Sequence, residues 1–387
     1  MASTAKSSST NANGEQDTSS PSVLRYGIVG CGSVCQVKSG PAFYKCSNSS
    51  LVAVMRRDIA KAKDYAERHG VEAFYGKAAD LISDDSVDAV YVATPPGGHR
   101  VGIARMVAGA QKPCYMEKPL GRDGKEAQEI CSIFQEAGVS LYCAYYRRCM
   151  PKFVQAKSLC SSRIGKITGV TVTLHQSRHN QKDKSHWHYA KEISGGGLFL
   201  DVGCHMLDLV EFFVGKIENP TGRAFLSIND QRVEDNVRGF WDHTLIEPDS
   251  GACRRIGGSC VFNFTSGGPR RDELEIVGTL GTLTISCFDD QPVQLKLDGG
   301  ETIIVQHGDH PDTVQEPMIQ LVTQDILARI KGAERDNTNT GASSRAADEA
   351  HLDPNVFLCR GESAVRTSVA MDRLLGREKW RDDYIVR

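Results

Sequence analysis

Apolar and polar positions follow two different rhythms along this chain. From about residue 25 to 146, solid apolar runs alternate with amphipathic stretches. The runs are RYGIVGCGSV (25–34), LVAVMRRD (51–58), VDAVYVATPP (87–96), QKPCYMEKP (111–119) and GVSLYCAYY (138–146). Between them, 33–46, IAKAKDYAERHG (59–70), HRVGIARMVAGA (99–110) and KEAQEICSIFQEAG (125–138) carry apolar residues at helical spacing. Continuous apolar strands separated by such helices predict a parallel sheet covered on both faces.

After 146 the rhythm changes. GKITGVTVTLHQSRH (165–179) opens a long alternating strand, and one strong helix is predicted over about 196–214. Strand-like runs then follow one another: TGRAFLSIN, SCVFNFTS, ELEIVGTLGTLTISCF and PVQLKL. Consecutive strands predict a large, mostly antiparallel open sheet. Residues 331–354 read as a polar loop and 361–376 as a last amphipathic helix. The expectation is an α/β protein in three parts: a tail (1–22), a doubly wound parallel α/β domain (23–146) and a second α/β domain (147–387).

Composition narrows the function classes. A chain of 387 residues has room for two domains with cores of their own. The formal charge is −2 and the arginine pairs are scattered, so neither nucleic acid nor a strongly basic partner is expected. The most apolar stretch, 195–215, is broken by Asp201, His205, Asp208 and Glu211, so no membrane span is expected. Thirteen cysteines at irregular spacing, several inside apolar runs (Cys114, Cys143, Cys287), read as reduced core residues of a cytoplasmic protein. The first twenty residues are Ser/Thr/Asn-rich, contain Glu15 and Asp17, and lack the apolar centre of a secretory signal. A plastid transit peptide is the weaker alternative for them.

The first strand runs into Gly30-Cys31-Gly32-Ser33-Val34 and then a helix. Glycines in such a turn let backbone N–H groups approach a pyrophosphate, with Ser33 and Val34 following in the loop. The third glycine of the dinucleotide fingerprint is replaced by Cys35. The plain alternative is a glycine turn in an α/β domain without nucleotide. At the end of the second strand, where an acid would hold the ribose of NAD, stand Arg56 and Arg57. A guanidinium pair suits a 2′-phosphate, so NADP is favoured over NAD; otherwise the pair is solvated surface. Thr94, Pro95 and His99 lie at the end of the third strand, where ligands of open sheets bind.

Glu117 and Lys118 end another strand just before Pro119, facing the same crevice. Asp201, His205 and Asp208 recur at i, i+4, i+7 on an otherwise apolar helix behind Gly195–Gly197. That polar stripe is either the one solvated edge of a buried helix or a site facing a cleft.

Taken together, GIVGCGSV, VAVMRRD, VYVATPPGGH, YMEKPLGRD and GGGLFLDVGCHMLD resemble the glucose–fructose oxidoreductase/inositol dehydrogenase/MocA family from about residue 24 onward. The resemblance implies a Rossmann domain, then an α/β domain whose open sheet mediates homodimers or homotetramers. It implies hydride transfer between a nicotinamide and a sugar or polyol carbon. Its catalytic lysine falls on Lys118 and its catalytic Asp and His on Asp201 and His205. Glu117 falls on a residue bordering the cofactor, and Lys118–Pro119 is expected to be cis. A Trp-Arg pair that touches the cofactor in some members is Trp187-His188 here, so its arginine is missing. In this reading His205 is the general base, Lys118 holds the same substrate oxygen, and Asp201 orients the histidine or binds a neighbouring hydroxyl. Tyr145, Tyr146, Arg148, His186 and Trp187 are expected to line the sugar pocket, or else to pack.

Rivals weigh less. The chain has no Tyr-x-x-x-Lys pair of the short-chain type. His175, His179, His186 and His188 lack a Cys or acid to complete a zinc set, so no metal site is expected. A nucleotide-binding sensor of the same fold, like the yeast galactose-pathway repressor, has no reason to keep Lys118, Asp201 and His205 together. A biliverdin reductase-like enzyme needs no carbinol-activating histidine.

Overall fold

The computed structural model describes residues 23–177, 190–228, 233–247, 250–338, 352–377 and 385–386. Six strands, β1 (Leu24–Val29), β2 (Ser49–Met55), β3 (Ala73–Tyr75), β4 (Ala89–Val92), β5 (Cys114–Met116) and β6 (Leu141–Cys143), form one sheet in the order β3-β2-β1-β4-β5-β6. Every pairing in it is parallel. The helices between them are α1 (Ser33–Val37), α2 (Ala42–Lys45), α3 (Ile59–His69), α4 (Ala78–Ile82), α5 (His99–Gly109) and α6 (Gly124–Glu136). Asp58 and Asp123 cap α3 and α6, accepting from the amides of Lys61 and Glu126 at 3.3 and 2.8 Å. Ile28, Val54, Val90 and Met116 are fully buried, as strands covered on both faces require. The strand order reverses direction between β1 and β4, so the ligand crevice opens there, at the carboxyl ends of the strands.

The helix expected over 33–46 is two short ones. A side chain at Gly40 would strike the Tyr65 hydroxyl and the Cys35 carbonyl, which are hydrogen-bonded to each other at 3.0 Å. The chain turns there, and Pro41 follows.

Beyond a 3₁₀ turn (Tyr146–Cys149) come α7 (Pro151–Ser162), β7 (Ile167–His175), α8 (Lys191–Ser194) and α9 (Cys204–Phe213). The single helix expected over 196–214 is instead a π turn, Phe199–Gly203, leading into α9. Lys191–Phe213 reaches a mean hydropathy of 1.3 and is long enough to cross a membrane, which the sequence reading did not anticipate. With 78% of its most apolar window buried inside the protein, it is a core segment.

Strands β8 (Glu218–Phe225), β9 (Asn236–Ile246), β10 (Cys253–Asn263), β11 (Arg271–Gly278), β12 (Gly281–Ile285), β13 (Val293–Leu297) and β14 (Thr302–Val305) complete the second sheet with β7 and β15 (Ile385–Val386). Its order is β14-β13-β12-β11-β7-β10-β9-β8-β15. It is antiparallel except where β10 meets β7 and β15 meets β8. Val170, Val172, Leu174, Phe262, Leu274 and Ile276 fill one face, whereas Phe240 and Ile246 stand out on the other.

The chain then returns to the first sheet. Helix α10 (Glu316–Thr338) covers part of the segment expected to be a loop; 339–351 lie outside the described residues. Tyr26 shares a 3.0 Å hydrogen bond with Thr323, Tyr115 donates to Gln315 at 2.9 Å, and Tyr142 donates to Asp325 at 2.5 Å. Three buried strand tyrosines thus find their polar partners on or beside one late helix. After a short α11 (Pro354–Phe357), α12 (Gly361–Leu374) packs beside α6. All thirteen cysteines are free, and only Cys253 is exposed.

Candidate active site

A cleft of about 1110 Å³ runs from the Gly30 turn to the start of α9. Gly30 turns at φ +93°, the left-handed region that glycine tolerates, and a side chain there would strike Thr94. Gly32 is different. Its backbone is extended, and an added Cβ would meet nothing closer than the Gly30 carbonyl at 3.8 Å. Protein packing does not demand that glycine, so the bare backbone leaves room for a ligand. Ser33 and Val34 also line the cleft, and as the first residues of α1 they have no carbonyl one turn back to bond. The buried Thr94 hydroxyl has no partner among the described residues. These features fit a dinucleotide: a bare turn, free amides and an orphan hydroxyl, all at the switch point of the sheet.

Arg56, Arg57 and Asp58 line the cleft at the end of β2. Neither guanidinium has a hydrogen-bond or ion-pair partner among the described residues, while Asp58 is occupied in capping α3. Pro95 and His99 border the cleft on the β4 side.

Glu117 is buried. Its Oε1 accepts from Tyr91 at 2.7 Å and from Gln315 at 2.6 Å. The Lys118–Pro119 bond is cis. Lys118 Nζ donates to Asp201 Oδ1 at 2.7 Å and to the Asp201 carbonyl at 3.1 Å. Burial is the largest influence on the Lys118 ammonium and pulls it down, but the acidic neighbours together, Asp201 foremost and then Cys204 and Glu117, outweigh it and hold the amine above the ordinary lysine range. His205, 6% exposed, stands edge-on to the rings of Tyr145, Tyr146 and Phe288, and its Nδ1 has no partner among the described residues. Burial first, then Arg147, Lys118 and Lys38, push the imidazole well below the usual histidine range. A neutral histidine and a protonated lysine therefore share one pocket wall.

Two expected substrate residues lie elsewhere. Arg148 is buried and makes a bidentate pair with Asp208 at 2.9 and 2.6 Å, with Ser363 of α12 at 3.0 Å. Asp208 therefore faces that arginine and not the cleft. Tyr145 is 1% exposed and backs His205 from behind the wall. Tyr146 does line the cleft. His179, His186, Trp187 and His188 lie outside the described residues.

A family model described as an oxidoreductase family with an NAD-binding Rossmann fold matches residues 24–145, and the GFO/IDH/MocA C-terminal domain matches 153–284. Oxidoreductase P35 of Formosa agariphila is 33% identical over 333 residues, which is 85% of this chain and 97% of that protein. This chain belongs to the Gfo/Idh/MocA oxidoreductase family. It is therefore an NAD(P)-binding oxidoreductase. D-xylose 1-dehydrogenase (NADP(+)) 2 of Haloferax volcanii is 29% identical over 239 residues, 61% of this chain and 69% of that one. The aldose-aldose oxidoreductase of Caulobacter crescentus, solved with glycerol, shares the fold with a TM-score of 0.72 at 18% identity, covering 92% and 97% of the two chains.

In this Gfo/Idh/MocA member several site residues escaped the sequence reading. Arg100 is buried and ties the β4 turn to the Lys118 segment: Nε donates to the Thr94 carbonyl at 3.1 Å, Nη1 to the carbonyls of Glu117 and Pro119 at 2.6 and 2.5 Å. Burial draws its guanidinium down to about 10, still charged at neutral pH. Arg147 lines the cleft between the rings of Tyr146 and Phe288, its carbon 5.0 and 4.7 Å from their centroids. Gln315 reaches Glu117 from the far end of the chain. Only long-range packing brings these residues in, although Arg100 carried one local hint as a cation inside an apolar helix.

Proposed function

We propose that this protein transfers hydride between NADP(H) and a carbinol or carbonyl carbon of a cyclic sugar or polyol. One observation carries the reading: the Lys118–Asp201 pair at 2.7 Å shares a cleft with neutral His205 and with the bare glycine turn. The names of the relatives that act on sugars support the substrate class.

Nicotinamide, when bound, supplies or accepts the hydride. Gly30, Gly32, Ser33 and Val34 hold the diphosphate, and Arg56 with Arg57 hold the 2′-phosphate, which is the reason to favour NADP over NAD. Thr94, Pro95, His99 and Glu117 border the ring end of the cofactor. His205, neutral at working pH, takes the hydroxyl proton of an alcohol being oxidised, or returns it to a ketone being reduced. Lys118 donates to the same oxygen and stabilises charge developing on it. Asp201 keeps Lys118 protonated and aimed. Exposed apolar residues on the second sheet, Phe240 and Ile246 among them, suit a homodimer or homotetramer contact, and thirteen free cysteines suit the cytoplasm.

The test is a titration with NADPH and NADH followed by intrinsic fluorescence, then a panel of sugars and polyols assayed through nicotinamide absorbance. Tighter NADPH binding with turnover on a panel member is the expected result. Tight binding without turnover on any member would shift the reading to a nucleotide-dependent sensor.

A further inference from the structure

Away from the cleft, two loops bring Asp290, His307 and His310 together. The first loop joins β12 to β13, and the second joins β14 to α10. His307 Nε2 and His310 Nε2 each lie 3.3 Å from the same oxygen, Asp290 Oδ1. The two rings are stacked, with centroids 4.7 Å apart.

The hydrogen bonding around these rings is informative. His307 Nδ1 is 2.9 Å from the Gly308 carbonyl, which can only accept, so Nδ1 carries the proton. In the neutral ring Nε2 then presents a lone pair, and it presents it to a carboxylate oxygen. Nε2 of each ring is thus the nitrogen turned toward Asp290 Oδ1, where a proton or a metal ion can bridge the two atoms. A backbone carbonyl fixing one nitrogen of a ligating histidine is the usual second partner at metal centres. Two ligands about 2.0–2.1 Å from one tetrahedral zinc ion stand about 3.3 Å apart, which is the distance of each imidazole Nε2 from Asp290 Oδ1, and all three ligand atoms lie within 4.8 Å of one another.

The backbone turn that carries this exposed carboxylate is held in place from beneath. Asp272 accepts from the amides of Cys287, Phe288 and Asp289 at 3.0, 2.6 and 3.1 Å. Lys152, itself buried, donates to the carbonyls of Asp289 and Gln291 at 2.6 and 3.3 Å. The turn that carries Asp290 is thus clamped on both sides before any ion arrives.

We propose that Asp290, His307 and His310 bind a divalent transition metal of the zinc class, with water completing the shell. Two imidazoles and one carboxylate suit zinc and its neighbours and disfavour magnesium or calcium, which take oxygen ligands. The role is structural. The ion would fasten the loop before α10 to the turn that carries Phe288, a wall of the cleft. This inference does not rest on the hydride chemistry.

The test uses the full-length protein, stripped with a chelator and titrated with Co²⁺ and then Zn²⁺. The expected result is one equivalent of Co²⁺ with a tetrahedral visible spectrum and no thiolate charge-transfer band, displaced by Zn²⁺. Zn²⁺ should raise the melting temperature. H307Q and H310Q should abolish the band, and D290N should weaken binding at least about tenfold. D290N alters an exposed side chain, so a folded variant is secured, and nucleotide binding checks the fold of all three. Absence of stoichiometric binding, a thiolate band, or binding unchanged in H307Q and H310Q would each overturn the proposal. The last two would move the metal to cysteines or to the histidines at 179, 186 and 188.

Discussion

The buried guanidinium of Arg100 donates to the carbonyl of Glu117 at 2.6 Å, joining the turn after β4 to the segment that presents Lys118. Its acceptors here are carbonyls of Thr94, Glu117, Pro119 and Leu120, not a carboxylate. Arg100→Met should leave several of them unsatisfied and cost at least about 2 kcal/mol in urea unfolding. Turnover should fall more than nucleotide affinity, because Lys118 loses its bearing. A variant of unchanged stability would show that water replaces the guanidinium.

Lys118→Met and His205→Ala should each lower kcat by at least about 100-fold while nucleotide binding stays within a few fold. Asp201→Asn should fall between these and wild type, since it removes the partner of the ammonium and leaves the amine itself. The measurement is kcat beside a fluorescence Kd for each variant. Near-wild-type turnover in Lys118→Met or His205→Ala would remove that residue from the mechanism.

The two shifts set a pH profile. His205 has its proton affinity lowered, so the neutral, proton-accepting form persists well below the ordinary value of about 6.5. Lys118 has its affinity raised, so the ammonium persists above about 10.4. Alcohol oxidation should therefore hold a broad plateau in kcat/KM, with an acid limb below pH 6.5 and no lysine limb before the alkaline extreme. The same burial acts on stability. Between the folded and unfolded values of His205 the unfolded chain binds more protons, so its contribution is present above about pH 6.5 and declines as pH falls below it. An acid limb centred at or above pH 7 would contradict this assignment.

Arg56→Ala with Arg57→Ala should weaken NADPH far more than NADH. The two arginines have no protein partner among the described residues, so little stability should be lost. Equal losses for the two nucleotides would remove the 2′-phosphate role.

Arg148 and Asp208 allow a structural role to be told from substrate binding. Removing either partner from this buried pair should destabilise the fold by about 3–5 kcal/mol. In the fraction that remains folded, KM should be near wild type. A selective rise in KM without loss of stability would return Arg148 to the substrate.

How far the sequence could be read follows from the range of each interaction. Gly30, Gly32 and the Glu117-Lys118-Pro119 turn are local signals at strand ends, and the cleft does gather them. Lys118 and Asp201 are far apart in the chain and were joined by motif alone. For Arg148 the sequence left pocket and packing both open, and its neighbours Tyr146 and Arg147 do line the cleft. Only Asp208 and Ser363, brought in by α9 and α12, turn it inward. Helix α10 begins in a stretch where no element is expected, although Met318, Ile319, Val322, Ile326 and Leu327 recur at helical spacing, and it ends inside the polar segment 331–354 expected as a loop. Asp290 and the two histidines belong to different loops, and no local pattern links them.

Gln315 holds Glu117, Tyr115 and the backbone of Lys38 at once. The nucleotide half is therefore not a portable module. A fragment ending near Tyr146 would keep every residue of the dinucleotide turn. It would nonetheless leave Tyr26, Tyr115 and Tyr142 without the partners that bury their hydroxyls, and Glu117 without its amide. Grafting this half onto a foreign substrate domain would require the late helix to travel with it, so new specificities are more readily reached by changing the second sheet's loops than by exchanging domains.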